Sequence, residues 1–416
     1  MDQVNEFKRG WKVLFACFLG IAVNLATLPY YTNGIFIRFW QEEFGWSRAE
    51  IGAQTSIAVI VMVLSAPLAG RLLDRYGIRL VASISLTLFA ITLYSVRHVV
   101  DSLADLYIIS MLYALLGIAS TPIAFTRAIS VFFVKHRGLA LGIGLSSTGL
   151  TAYFSQTYLT PYVAEHGWRA GYDILFWVVM VTVPFVYFWT RDYPEDTPAQ
   201  NQDSETAPSE QIAQGAHSDY DLTFSESIRT VTFWKLATVF FILATAILGI
   251  VPAYIPLLLD AGISPAEAGQ IGGVMGISVL AGRLIIGATL DRVYPPYVVA
   301  IVFTLVAASC LALGIGGIEY ALLTAIALGF AVGAEVDLIG YFTARYFGLS
   351  NYGAIYGLQY SIFIGGAGVS PILVGYSWDV TGNYDVALIG AACMLIPVVL
   401  ISLTLPRFND EMAANA

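Results

Sequence analysis

Runs of about 20 or more largely apolar residues recur twelve times along this chain, near residues 12–37, 50–71, 79–97, 105–134, 138–161, 171–189, 231–259, 266–289, 296–315, 319–344, 352–377 and 385–405. A hydrocarbon core about 30 Å thick is crossed by roughly 20 helical residues. Inside it, a helix meets its backbone hydrogen bonds from within its own segment. The recurrence predicts an all-α membrane protein with twelve transmembrane helices. Composition agrees: 57% of residues are apolar and 12% charged, against about 25% charged in ordinary soluble chains. The first run is too long for the core of a cleavable signal peptide, and no clear cleavage site follows it, so it reads as a retained span.

The stretch between the sixth and seventh runs differs in kind. From Asp192 to Asp221 it carries Pro194, Pro198, Pro208 and eight acids, with no Lys or Arg. Such a composition reads as a flexible linker. Without those eight charges the net charge moves from −9 to about −1, so the acidity belongs to the linker and says nothing about substrate sign. The expected organisation is an N-terminal six-helix bundle over residues 1–191, a cytoplasmic linker over 192–224 and a C-terminal six-helix bundle over 225–416.

Lys and Arg set the orientation. If both termini and the linker share one side, that side holds 14 of the 20 basic residues and the opposite side only Arg38, Arg48, Arg97 and Arg169, leaving Arg127 and Arg283 within spans. Termini and linker are therefore expected in the cytoplasm, with the chain in a bacterial inner membrane. The three cysteines, Cys17, Cys310 and Cys393, lie in separate apolar runs and imply no disulfide framework.

The chain also repeats itself. Gly70…Asp74-Arg75 recurs 217 residues on as Gly287…Asp291-Arg292, and the stretch 45–52 matches 262–269 at five of eight positions with the same offset. Ser47 with Glu50 and Ser264 with Glu267 have capping-box spacing, and Pro265 suits a first helical position. Gly138…Gly142 is echoed by Gly353…Gly357 at an offset of 215. An internal repeat at half the chain length in a membrane protein points to two pseudo-symmetric bundles, a common design of secondary transporters.

The loop sequence Gly70-Arg-Leu-Leu-Asp74-Arg75-Tyr-Gly77-Ile-Arg79 resembles the motif between the second and third helices of the major facilitator superfamily, with Ile78 replacing a usual basic residue. Phe44-Gly45-Trp46-Ser47-Arg48, the stretch 132–142 and Arg345-Tyr346-Phe347-Gly348 are similar to the monocarboxylate-porter and oxalate/formate-exchanger group. The resemblance implies two bundles that rock about a central cavity. It also implies an anion-binding arginine in the eighth span, which Arg283 in its Ala-Gly-Arg-Leu setting matches. Mammalian monocarboxylate porters place an aspartate one turn before that arginine and a lysine in the first span, both tied to proton coupling. This chain has Val279 and Asn33 or Gly34 there, so any proton carrier must lie elsewhere.

Ionised groups inside a span need a partner or water, and four occur: Arg127, Arg283, Glu335 and Asp337. Arg127, Arg283 and Asp337 each lie eight residues from a charged residue at a span end, a depth of about 12 Å at 1.5 Å per residue. Arg283 is the first candidate for a substrate ligand, because a guanidinium stays charged and grips carboxylates through paired N–H donors. The alternative is a structural pair with Asp337 or Glu335. Arg127 offers a second anion site, which would favour a dicarboxylate or aromatic acid; equally, it would neutralise the tenth-span acids. Glu335 and Asp337 are the candidate proton carriers. Two residues apart, they project about 200° from each other. Asp337 is favoured because it continues the stripe Gly329, Gly333, Asp337, Tyr341.

Neutral groups that suit substrate orientation are Asn24, Tyr31, Asn33, Tyr254, Gln359 and Tyr360. The motif residues Gly70, Asp74, Arg75, Gly77, Arg79, Asp291 and Arg292 are read as gating contacts made and broken between states. No phosphate loop exists among the four lysines, and the four histidines fall in loops or the linker, so neither ATP use, metal, cofactor nor enzyme is expected. No nucleic-acid partner is expected either. The leading expectation is a proton-coupled symporter of small organic acids, mono- or dicarboxylates, in the lipid bilayer. A carboxylate exchanger using a counter-anion, and an exporter of amphiphilic compounds, are the alternatives.

Overall fold

A computed structural model describes residues 3–133, 137–191, 222–290, 293–348 and 351–406. Helices dominate: α1 (Gln3–Val23), α2 (Leu28–Phe44), α3 (Arg48–Tyr76), α4 (Ile78–Val99), α5 (Leu103–Gly117), α6 (Pro122–Phe132), α7 (Arg137–Phe154), α8 (Thr160–His166) and α9 (Trp168–Trp189) precede the linker. After it come α10 (Phe224–Ser227), α11 (Val231–Ile247), α12 (Ile250–Asp260), α13 (Pro265–Leu290), α14 (Pro295–Leu311), α15 (Ala321–Phe347), α16 (Tyr352–Thr381) and α17 (Asp385–Leu403). Among the described residues, eleven helices are long and apolar enough to cross a membrane.

The expected fifth span is where the count differs. It is covered by α7, a π-helical turn over Ser155–Leu159 and α8. Pro161 has no N–H to donate and its ring crowds the carbonyl of Thr157, which widens the turn before it. Other runs are broken as well. The first, expected over 12–37, extends over α1 and α2 with a turn at residues 24–27; the fourth is interrupted by a tight turn at Ile118–Ser120 ahead of Pro122; the seventh breaks between α11 and α12.

Two of the breaks are held by side chains. Asn24 donates to Ile21 O (2.5 Å) and Thr27 Oγ1 (3.0 Å), and its amide oxygen accepts from the N–H groups of Ala26 and Thr27. At the seventh-span break the Gly249 N–H donates to Ser370 Oγ (2.7 Å), which itself donates to Thr245 O (2.5 Å). The helix starts follow the sequence closely. Ser47 and Glu50 form a complete capping box, Ser264 accepts from the Glu267 N–H (3.3 Å), and Pro265 is the first residue of α13.

By backbone proximity the chain forms two units, one of Met1–Glu205 with Pro252–Ile277 and one of Thr206–Val251 with Ser278–Ala416. Similar neighbours recur in both: α4 packs on α5 and α9, while α14 packs on α15 and α17; α1 packs on α7 and α9, while α11 packs on α16 and α17.

Within the first unit, residues 252–277 lie tightly against earlier helices. A Cβ on Gly269 would sit 2.6 Å from Gln156 O, and one on Gly276 would overlap the Tyr153 backbone. Only glycine permits that approach. Asp260, the last residue of α12, takes Arg48 at 2.6 Å and Arg38 at 3.7 Å, and Arg48 Nε also donates to Gln41 Oε1 (2.7 Å).

Candidate functional site

The site is assembled by two glycines. A Cβ on Gly333 of α15 would overlap Val279 O, and one on Gly282 of α13 would sit 2.7 Å from Phe330 Cα. Bare backbone on both sides lets α13 and α15 touch, which brings their polar side chains within reach of each other. Arg283 Nε lies 3.3 Å from Asp337 Oδ2, with side-chain accessibilities of 13% and 34%. An aspartate this deep in a span and one-third accessible would be costly facing hydrocarbon. Of the two readings the sequence leaves open for Arg283, the ion pair with Asp337 is present.

Glu335 is on the other side of α15. It is 2% exposed, and its Oε1 is buried with no hydrogen-bond partner among the described residues. Its neighbours one turn away, Ala331, Leu338 and Ile339, are also buried. A charge left unpaired there would cost several kcal/mol.

On α16, Gln359 is fully buried and donates to Phe233 O (3.0 Å), a bond between helices of the second unit. Tyr360 belongs to a ring stack described below. In the first unit, Asn24 uses both donors and its oxygen on the turn that joins α1 to α2. Tyr31 is buried, with its carbonyl accepting from Gln156 Nε2 (2.6 Å), and Tyr254 is buried on α12. Asn33 is partly buried on α2. Arg127 lies partly buried on α6.

The motif residues are only partly described. Gly77 has φ of +80° where α3 ends and α4 begins, a left-handed turn that favours glycine. Arg79 lies 4.4 Å from the Tyr187 ring and Arg75 5.2 Å from the Tyr76 ring, while Gly70 has open space around it. The side chain of Asp74, and both Asp291 and Arg292, lie outside the described residues.

Two features escaped the sequence reading. Asp260 was not singled out, although it holds two arginines. Nor were Tyr352 and Tyr356, which stack with Tyr360 and Phe363 along α16 at centroid spacings of 5.5, 5.8 and 6.0 Å. The four-residue spacing was the available signal.

A model of the Major Facilitator Superfamily matches residues 13–371. Monocarboxylate transporter 12 of Mus musculus is 23% identical over 94% of this chain and 84% of its own length. The gallate transporter of Pseudomonas putida is 24% identical over 86% of each chain. Among solved structures, the nucleoside transporter NupG superposes with a TM-score of 0.73 at 14% identity, covering 96% of this chain and all of the other.

Proposed function

The chain belongs to the Major Facilitator Superfamily, and from that premise we propose that it carries small organic anions, mono- or dicarboxylates, across the membrane together with protons. It is a multi-pass membrane transporter and not a catalytic enzyme. The reading rests above all on one observation, the partly exposed Arg283–Asp337 pair within two apolar helices. The names of the two relatives, a monocarboxylate and a gallate transporter, are both those of carboxylate carriers.

The coupling follows from charge balance. A substrate carboxylate that takes the Arg283 guanidinium displaces Asp337 from it. Asp337 then stands in a span without a counter-ion, which favours the carboxylic acid over the carboxylate. One proton enters per anion bound, and the loaded site has the same net charge as the empty one. That equality lets both forms undergo the conformational change without stranding charge in a region of low dielectric.

The proposal takes residues 1–191 and 225–416 as the two repeats, 192–224 as their connection, and the cytoplasm as the side of the termini. Arg127 is kept as a second anion site, and the motif residues as gating contacts.

Uptake of a panel of labelled carboxylic acids into proteoliposomes, with and without an inward proton gradient, tests the reading. Wild type is expected to accumulate its substrate only under the gradient, Arg283→Ala to lose uptake, and Asp337→Asn to exchange substrate without accumulation. Gradient-independent exchange by the wild type would instead make the protein an exchanger.

A further inference from the structure

Tyrosines at 352, 356 and 360 form one strip along α16, with ring planes 15° and 10° apart, continued by Phe363 at 26°. Rings at four-residue intervals lie on one helix face, and eight residues extend them over about 12 Å. The strip borders the α13–α15 site. A methyl group on Gly340 of α15 would lie 3.0 Å from Tyr352 Oη and 3.9 Å from Tyr356 Cε2. Gly340 is three residues from Asp337 and so on its face of the helix.

The strip is not simply closed packing. Tyr356 and Tyr360 are only partly buried, and the Tyr352 hydroxyl is buried with no hydrogen-bond partner among the described residues. A carboxylate held by Arg283 would therefore have the partly exposed rings of Tyr356 and Tyr360 on the neighbouring helix. A planar ring attached to the carboxylate can pack against tyrosine edges more favourably than an aliphatic ring of the same size.

We propose that the transported anion is an aromatic carboxylic acid, its carboxylate on Arg283 and its ring against Tyr356 and Tyr360. The inference rests on the reading of Arg283 as the anion ligand. Benzoate and cyclohexanecarboxylate separate the two claims, since they share charge and size but only benzoate is flat and aromatic. Binding of each to the purified full-length protein is measured by calorimetry, for wild type, Arg283→Ala, Tyr356→Leu, Tyr360→Leu and the conservative Tyr356→Phe.

Wild type is expected to prefer benzoate by about tenfold, the range open to one or two aromatic contacts. Each leucine variant should cut that preference severalfold while leaving the cyclohexanecarboxylate affinity within about twofold. The Tyr356→Phe protein should keep the preference, and Arg283→Ala should lose both ligands. Equal affinities in wild type, or a preference unchanged in both leucine variants, would overturn the aromatic assignment while leaving the anion site standing. Benzoate affinity unchanged in Arg283→Ala would overturn the anion site itself.

Discussion

At the scale of single residues, the two acids of α15 are separated by what surrounds them. Asp337 shares a partner with the proposed substrate, whereas Glu335 is enclosed. Replacing Glu335 by Gln keeps the shape of an enclosed side chain away from the Arg283 pair, so gradient-driven uptake by Glu335→Gln vesicles is expected within about twofold of wild type. Loss of accumulation with exchange retained would move the proton to Glu335. Arg283→Lys keeps the charge but loses the planar fork, and its affinity for carboxylate is expected to fall about ten- to a hundredfold, as read by calorimetry. Arg283 and Asp337 were both legible in the sequence, because a charge in an apolar run declares itself. Their pairing is not fixed by the sequence, since the helical faces of α13 and α15 that meet are chosen by Gly282 and Gly333, and a glycine stripe does not name the helix that packs on it. Asn24 illustrates the opposite limit: a polar residue in the first span looked suited to a ligand, yet its hydrogen bonds hold a break in the helix.

At the scale of helices, close approach makes specific demands. Gly333→Ala would push a methyl group into the Val279 carbonyl, whereas Gly365→Ala on α16 meets open space. The first is expected to cost about 1–3 kcal/mol and the second little, compared as apparent melting temperatures in detergent. Equal melting temperatures would mean that α13 and α15 can part without penalty. The Arg48–Asp260 pair is a second such contact, its arginine side chain only 3% exposed. Asp260→Leu leaves that guanidinium buried without its anion, and a loss of about 3 kcal/mol is expected, at the low end for a broken buried pair because Asp260 keeps a quarter of its surface. Capping boxes and Pro265 gave the helix starts directly, since they are local. The breaks at Gly249 and at the π-helical turn before Pro161 depend on Ser370 and on a carbonyl four residues back, and apolar runs do not reveal them.

At the scale of the whole molecule, apolar runs, basic-residue asymmetry and the half-length repeat were enough to predict a membrane transporter, because a bilayer leaves few alternatives. The site needed more, since its residues come from segments more than 50 positions apart in sequence, Arg283 and Asp337 among them. As a machine, the proposed transporter does one thing: an ionised carboxylate entering the site brings one proton with it. The direct measurement is the proton uptake that accompanies substrate binding at pH 7, obtained by titrating benzoate into the protein in buffers of different ionisation enthalpy. Wild type is expected to take up about one proton per anion bound, and Asp337→Asn none. Binding by the wild type with no proton uptake, or uptake that persists in Asp337→Asn, would contradict the account.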